Sequence, residues 1–156
     1  MHAGSDLARA RGICLAAYVV ALVAAVVTAW IAERWLSSPY WRVLVADVVA
    51  TLVVFGFSVK YDNSSLYDPY WSVAPMVATL HFSLASSWSW RGLLVTLLVP
   101  LWGARLTYNW LRQWRGLGHE DWRYVAFRRS HPGSYWLISL FGFHLFPTVQ
   151  VLLGLA

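Results

Sequence analysis

Five apolar runs alternate with short polar connections along the 156 residues. The first extends from Gly12 to about Trp35, behind a polar start that carries Arg9 and Arg11. The second extends from about Val43 to Val59, with Asp47 one turn inside it. The third covers about Pro69 to Ser86 and contains Pro75 and His81. The fourth covers about Gly92 to Trp114, and the fifth Tyr135 to Ala156. Roughly 20 apolar residues of helix cross a bilayer core. The pattern therefore predicts an all-α, polytopic membrane helix bundle of about five transmembrane spans in a single domain, residues 1–156. The first run exceeds the roughly 7–15 residues of a signal-peptide core and lacks a small-x-small cleavage site, so it reads as a retained span. The last run ends without an aromatic or basic flank, and the expectation is that the protein continues beyond Ala156.

The connections carry the local signals. Glu33 to Arg42 forms a polar, aromatic turn. Lys60 to Asp68 is the first sizeable polar connection, and Asp68-Pro69 reads as a helix start with Asp as N-cap and Pro at the first helical position. A short turn is expected around Ser87 to Arg91. Gly116, Gly118 and His119 break the fourth run. Glu120 to Arg129 then predicts a short interfacial amphipathic helix, with Trp122, Tyr124, Val125 and Phe127 as its apolar contacts. Pro132-Gly133 ends it.

Composition sharpens this reading. Apolar residues make up 59% and charged residues 12%. A soluble domain carries roughly 25% charge, so a soluble enzyme and a disordered tail are excluded. Cys14 is the only cysteine, which excludes a disulfide scaffold. Eleven Trp and eight Tyr suit the water–lipid boundary. The net charge of +5 lies between the apolar runs and not on one soluble face, so phospholipid and not nucleic acid is the expected anionic neighbour. Arg9, Arg11, Lys60, Arg112, Arg115, Arg123, Arg128 and Arg129 fall on one side, and Arg34, Arg42 and Arg91 on the other. This asymmetry predicts a cytoplasmic N-terminus, with a bacterial inner membrane as the expected location.

Three segments carry candidate chemistry. Trp102, Arg105, Asn109 and Arg112 recur at helical spacing and fall on one face. A snorkelling cationic helix end accounts for Arg105. The alternative is an anion-binding face, in which two guanidiniums and an amide take phosphate oxygens. Asn109 is too short to snorkel and calls for a partner or a ligand. In the connection around Asp62 to Trp71, capping accounts for Asp68. The functional alternative is a proton donor whose pKa is raised by desolvation, with Tyr67 and Tyr70 as further donors. His119 to Tyr124 reads as a solvated interfacial helix, or as one wall of a cofactor pocket. His81, His144 and Asp47 read as hydrogen-bonding partners inside the bundle. No His or Cys pair has metal-ligand spacing, so no metal site is expected.

Asn63-Ser-Ser-Leu-Tyr-Asp-Pro-Tyr-Trp-Ser72, Trp102-Gly-Ala-Arg-Leu-Thr-Tyr-Asn-Trp-Leu-Arg112 and His119-Glu-Asp-Trp-Arg-Tyr124 occur in this order. Together they resemble the steroid 5-alpha-reductase superfamily, in its bacterial and fungal branch of integral membrane proteins, over about residues 40–150. The resemblance implies a multi-span enzyme that uses NADPH to reduce a carbon–carbon double bond conjugated to a carbonyl in a lipid-like substrate. It implies cofactor contacts from Asn109 and Arg112, which match the family's Asn-x-x-Arg pair, with Arg105 beside them. It implies an acid role for Asp68 with Tyr67, and substrate contacts from Tyr70, Trp71 and Trp102. The tyrosine that the family places earlier on the Asn-bearing span is absent, since an apolar residue stands near Leu98. The family's main cofactor motif, Arg-His-Pro-x-Tyr-x-Gly-Glu, is also absent; Arg129-Ser-His-Pro-Gly133 does not match it. This chain thus resembles the N-terminal portion of such an enzyme and is expected to be inactive alone. Two alternatives stay open: a membrane methyltransferase of the same superfamily using S-adenosylmethionine, and a non-catalytic module that binds lipid or a partner span.

Overall fold

The computed structural model describes residues 3–85 and 89–155, so the end of the third run at Ser86 and the start of the expected turn, Ser87 and Trp88, lie outside the described residues. All five apolar runs are helical. We label the helices α1 (Ala3–Ala32), α2 (Pro39–Lys60), α3 (Tyr70–Ala85), α4 (Trp90–Gln113), α5 (Trp122–Ser130) and α6 (Tyr135–Gly154). Among the described residues, α1 from Asp6, α2 and α6 are long and apolar enough to cross a membrane. The chain is an all-helical integral membrane protein. At 1.5 Å per residue, α3 reaches about 24 Å, short of a bilayer core of about 30 Å. Helix α4 has the length, but its second half is polar.

Small side chains set the packing. Ala10, Cys14, Ala17 and Ala21 form a buried stripe along α1, and Ala46, Ala50 and Val54 form one on α2. Lipid tails are as apolar as Leu, so helices in a bilayer associate through close backbone approach at small residues. Helix α1 packs along α2, and α3 along α4. Gly103 sets the closest approach of the second pair, because a Cβ built there would lie 2.4 Å from the Ser72 carbonyl oxygen. Hydroxyls reinforce the pair: Ser72 and Thr107 lie 2.9 Å apart, and Ser83 pairs with Thr96. Helix α6 closes the bundle against α2 and α3.

Helix α6 is α-helical at Tyr135–Ile138, π-helical at Ser139–Leu145 and α-helical again from Phe146. Pro147 has no N–H to give and its ring crowds the preceding turn, and a wider π turn accommodates both defects.

The connection between α2 and α3 does not run over the surface. Residues 63–67 and 69–70 are buried, and a 3-10 turn at Ser64–Leu66 lies between α1, α4 and the 114–124 segment. The chain enters it through Asp62, which adopts φ of 50°, a left-handed conformation that Asp tolerates better than most residues. Leu66 packs on Ala10, Cys14 and Trp114, and Tyr67 and Tyr70 pack on Ala21, Ala50 and Val54.

The expected cap at Asp68 is corrected. Helix α3 begins at Tyr70, the Pro69 carbonyl accepts from Val73 N at 3.0 Å, and the Asp68 carboxylate accepts from the Tyr124 hydroxyl instead. A buried phenol offers a stronger partner than a local backbone N–H that water or a carbonyl can serve. Helix α5 starts two residues later than the charge pattern suggested, with Asp121 as its N-cap through Arg123 N.

Gly103→Ala should lower thermal stability in detergent by about 1–3 kcal/mol, the usual cost of overpacking. Gly56→Ala, where nothing lies within 4 Å, should be neutral or stabilising. Melting curves of the two variants check the pair.

Candidate functional site at the polar end of the bundle

The start of α1, the 61–69 connection, the end of α4 and residues 114–134 gather at one end of the bundle. Their junction is hydrogen-bonded throughout. The Asn63 amide donates to the Leu117 carbonyl at 2.7 Å and the His119 carbonyl at 3.0 Å, and its oxygen accepts from Ser65 N at 2.9 Å. Ser64 N donates to Glu120 Oε1 at 2.7 Å. Ser65 Oγ accepts from Asp121 N at 2.9 Å, and the Ser65 carbonyl accepts from Trp110 Nε1 at 3.2 Å. Arg128 closes the arrangement: it donates to Asp62 at 2.6 Å and Glu120 at 3.1 Å, and its guanidinium lies 4.1 Å above the Tyr135 ring.

Beside this junction is an open cleft of about 520 Å³ lined by Gln113, His119, Glu120, Asp121, Trp122, Val125, Ala126 and Arg129. Glu120 and Asp121 are engaged by Arg128 and Arg123. Arg129 forms no ion pair among the described residues and leaves a guanidinium at the cleft wall. A tight-turn glycine, Gly116 at φ of 102°, leads from α4 into this wall, a conformation that suits a residue without Cβ.

Asp68 stands behind the wall, half-buried, with its carboxylate 2.5 Å from the Tyr124 hydroxyl. Burial pushes its carboxyl up to about 6, although the Tyr124 hydrogen bond and the Arg123 charge pull it down. Burial and the neighbouring Asp68 charge together push the Tyr124 phenol well up. Asp121 moves the other way: partial burial raises it, but the side-chain and backbone hydrogen bonds from Arg123, with the Arg123 and His119 charges, together hold it below the usual carboxylate range.

The residues singled out from the sequence separate by environment. Arg105, Asn109 and Arg112 share an exposed face of α4, turned away from the face that Gly103 and Thr107 pack on α3. Asn109 has no hydrogen-bond partner among the described residues, and Arg112 lies over the Tyr108 ring at 5.8 Å. Gln113, one turn beyond Asn109, reaches the cleft. Trp71 and Trp102 meet edge to face at 5.6 Å, with Trp102 39% exposed. Tyr67 and Tyr70 are buried and already engaged. The Tyr67 hydroxyl donates to the His144 carbonyl at 2.7 Å, and the Tyr70 hydroxyl to Asp47 at 2.5 Å. Tyr67 is therefore not the phenol on Asp68. Tyr124 is, and the sequence presented it only as an apolar contact of α5. His81 is exposed, whereas His144 and Asp47 take partners inside the bundle. Gln113 and Arg129 carried no signal beyond their charge or polarity. Among the described residues, no group of three or more His, Cys, Asp or Glu is placed to hold a metal ion.

This arrangement defines a multi-pass helical membrane protein with a polar site built at one end of the bundle. The chain belongs to the DUF1295 family, described as a protein of unknown function, whose pattern matches residues 54–155. It is 33% identical over 124 residues to an uncharacterized protein of Schizosaccharomyces pombe, an alignment covering 74% of this chain and 35% of that protein. The chain thus spans about a third of the length of this relative. No solved structure matches it.

Tyr124→Phe removes the donor that favours the carboxylate, so the Asp68 carboxyl should rise further above about 6; an infrared or carbon NMR titration of the aspartates checks this. The stability consequence has a definite sign. The folded carboxyl holds its proton more tightly than the unfolded one, at 3.8. This group therefore favours the folded chain increasingly as pH falls through about 6 towards 3.8. Asp68→Asn should flatten that part of the stability profile in thermal melts.

Proposed function

We propose that this chain is the membrane-embedded part of an NADPH-dependent reductase of the steroid 5-alpha-reductase superfamily. Its substrate would be a steroid- or polyprenol-like lipid with a carbon–carbon double bond conjugated to a carbonyl. One observation carries the reading. A bilayer-length helix exposes Arg105, Asn109 and Arg112 on one face, and this face runs through Gln113 into the cleft lined by His119 and Arg129. Two guanidiniums and an amide, without acidic partners among the described residues, are a donor set for phosphate oxygens. They are a costly set to leave against hydrocarbon. The donor set fits the phosphates of a dinucleotide. NADPH, when bound, supplies a hydride.

The residues of this chain have the remaining tasks. Arg105 and Arg112 bind and orient anionic oxygens, and Asn109 fixes their position through its amide. Asp68 can take up and give back a proton on a carboxyl raised to about 6. Tyr124 sets the orientation of that carboxyl through its hydroxyl. Together they form an acid able to support charge developing on a carbonyl oxygen. Trp71 and Trp102 offer an aromatic edge to the ring system or chain of a lipid. Because Tyr67 is bonded into the bundle, the acid role in this proposal rests on Asp68 and Tyr124. The clustering of Lys and Arg at this end supports a cytoplasmic orientation for it and for the N-terminus. We propose a bacterial inner membrane as the location, and anionic phospholipid as the neighbour of α5.

In the complete protein, Arg112→Ala should weaken NADPH binding by about tenfold or more, the loss of one charge-assisted contact. Fluorescence titration with NADPH measures it. Saturable binding of S-adenosylmethionine with no response to NADPH would overturn the reductase assignment in favour of a methyltransferase.

A further inference from the structure

A line of buried hydroxyls leads from the cleft into the bundle. Glu120 lines the cleft, with 12% of its side chain exposed. The Tyr135 hydroxyl lies 3.4 Å from Glu120 Oε1 and 2.6 Å from Ser64 Oγ. Ser64 Oγ lies 3.1 Å from Ser139 Oγ, which lies 3.4 Å from His144 Nδ1. Ser64, Ser139 and His144 are fully buried, and Tyr135 is 2% exposed. The line is built from three elements, the 61–69 connection, the 114–121 segment and α6. The π-helical turn of α6 is what brings Ser139 and His144, five residues apart, together.

The surroundings of His144 give the line a direction. Nδ1 also lies 2.8 Å from the Ser139 carbonyl, which can only accept. Nε2 lies 3.3 Å from Ser58 Oγ, and that hydroxyl donates its own hydrogen to the Val54 carbonyl at 3.1 Å. Both ring nitrogens thus face oxygen lone pairs, and the Tyr67 ring lies 4.4 Å from the imidazole centroid. Phe55 covers another side of the ring at 5.1 Å. Among the described residues no carboxylate and no cation hydrogen-bonds to it. A histidine serving only to fill space needs one donor and one acceptor. This cage can accept a hydrogen bond from an N–H on each nitrogen.

We propose that His144 is an intramembrane proton-binding site, loaded from the cleft through Glu120, Tyr135, Ser64 and Ser139. The steps balance. A proton from cleft water adds to the Glu120 carboxylate and passes to the Tyr135 oxygen. The ring starts with its one hydrogen on Nε2, facing Ser58 Oγ, and with Nδ1 unprotonated. The phenol proton passes to Ser64, the Ser64 proton to Ser139, and the Ser139 proton to Nδ1, whose new N–H then donates to the Ser139 carbonyl. Each hydroxyl keeps one hydrogen, because each is at once donor and acceptor. Glu120 is returned to carboxylate, and the ring gains one proton. Rotation of the hydroxyls resets the line. Ionisable groups inside a membrane commonly mark such paths. The proposal does not depend on the reductase reading.

The test is deuterium exchange at the His144 Nδ1–H, the ring position that the line reaches. The full chain, labelled with nitrogen-15 histidine, is placed in phospholipid bilayers and followed by solid-state NMR in heavy water. Loss of the signal in His144→Gln assigns it. The Nδ1–H should exchange before the amides of the α2 core. Ser64→Ala and Tyr135→Phe should each slow it by about tenfold or more, a barrier increase near 1.4 kcal/mol. Ser64→Thr, which keeps the hydroxyl, should restore the rate. Tyr135→Phe leaves the Ser64–Ser139 contact in place and serves if Ser64→Ala fails to fold. Equal rates in wild type and both blocking variants would overturn the proposal. So would a faster rate in Ser64→Ala, or wild-type exchange no faster than the core amides.

Discussion

A polar connection buried between apolar helices must satisfy each of its backbone and side-chain hydrogen-bonding groups from within the protein. The 61–69 segment is under that constraint, and the rest of the molecule is arranged around meeting it. An unmatched buried donor or acceptor costs about 1–3 kcal/mol. Asn63, Ser64 and Ser65 therefore draw partners from every side. The 114–121 segment gives them two carbonyls, a carboxylate and a backbone N–H. Helix α4 gives the Trp110 indole, α1 gives the Tyr18 hydroxyl to the Leu66 carbonyl, and α6 gives Tyr135 and Ser139. Each partner fixes the element that carries it. The order of the polar end thus comes from a segment with few apolar residues of its own.

That order has two consequences for the site. It sets α5 against the connection, so Tyr124 reaches Asp68 and the cleft opens on the outer side of the same wall. It also turns α4. Trp110 and Thr107 face inward, toward Ser65 and Ser72, which leaves Arg105, Asn109 and Arg112 outward. The exposed cationic face and the buried aromatic face are two sides of one helix, and one set of contacts orients both.

Helix α6 shows how a local defect becomes useful. Pro147 prevents a regular helix, and the π turn before it widens the spacing between neighbouring turns. The His144 carbonyl accepts from the Tyr67 and Thr148 hydroxyls, and the ring meets the Ser139 carbonyl. Thr148 adds a 2.7 Å contact with Thr51 of α2. Hydroxyl pairing does here what apolar packing does in a soluble core, and it binds α6, α2 and the connection into one unit.

Much of this molecule was legible in the sequence. The five apolar runs, their polar breaks and the short helix near residue 122 follow from periodicity and length, because backbone groups in a bilayer are satisfied most simply by helices. The shared face of Arg105, Asn109 and Arg112 follows from helical spacing alone. The sharing of one end by the N-terminus, the 60–68 connection and the 120–129 segment follows from counting spans. Partner choice does not follow from any of these. Asp68 looked like a cap because the local sequence offers it backbone N–H groups, and Tyr124 looked apolar because tyrosine suits an interface. Only when residues 56 positions apart meet does the acid choose the phenol. Tyr67 and Tyr70 looked available for the same reason, until the bundle supplied His144, Thr148 and Asp47. The sequence by itself determined the helices and the faces they present, since both depend on neighbours within a turn or two. Tertiary structure alone decided which polar groups are spent on holding the fold and which remain free at the cleft, since hydrogen bonds saturate and each buried group goes to whichever partner packing brings within reach.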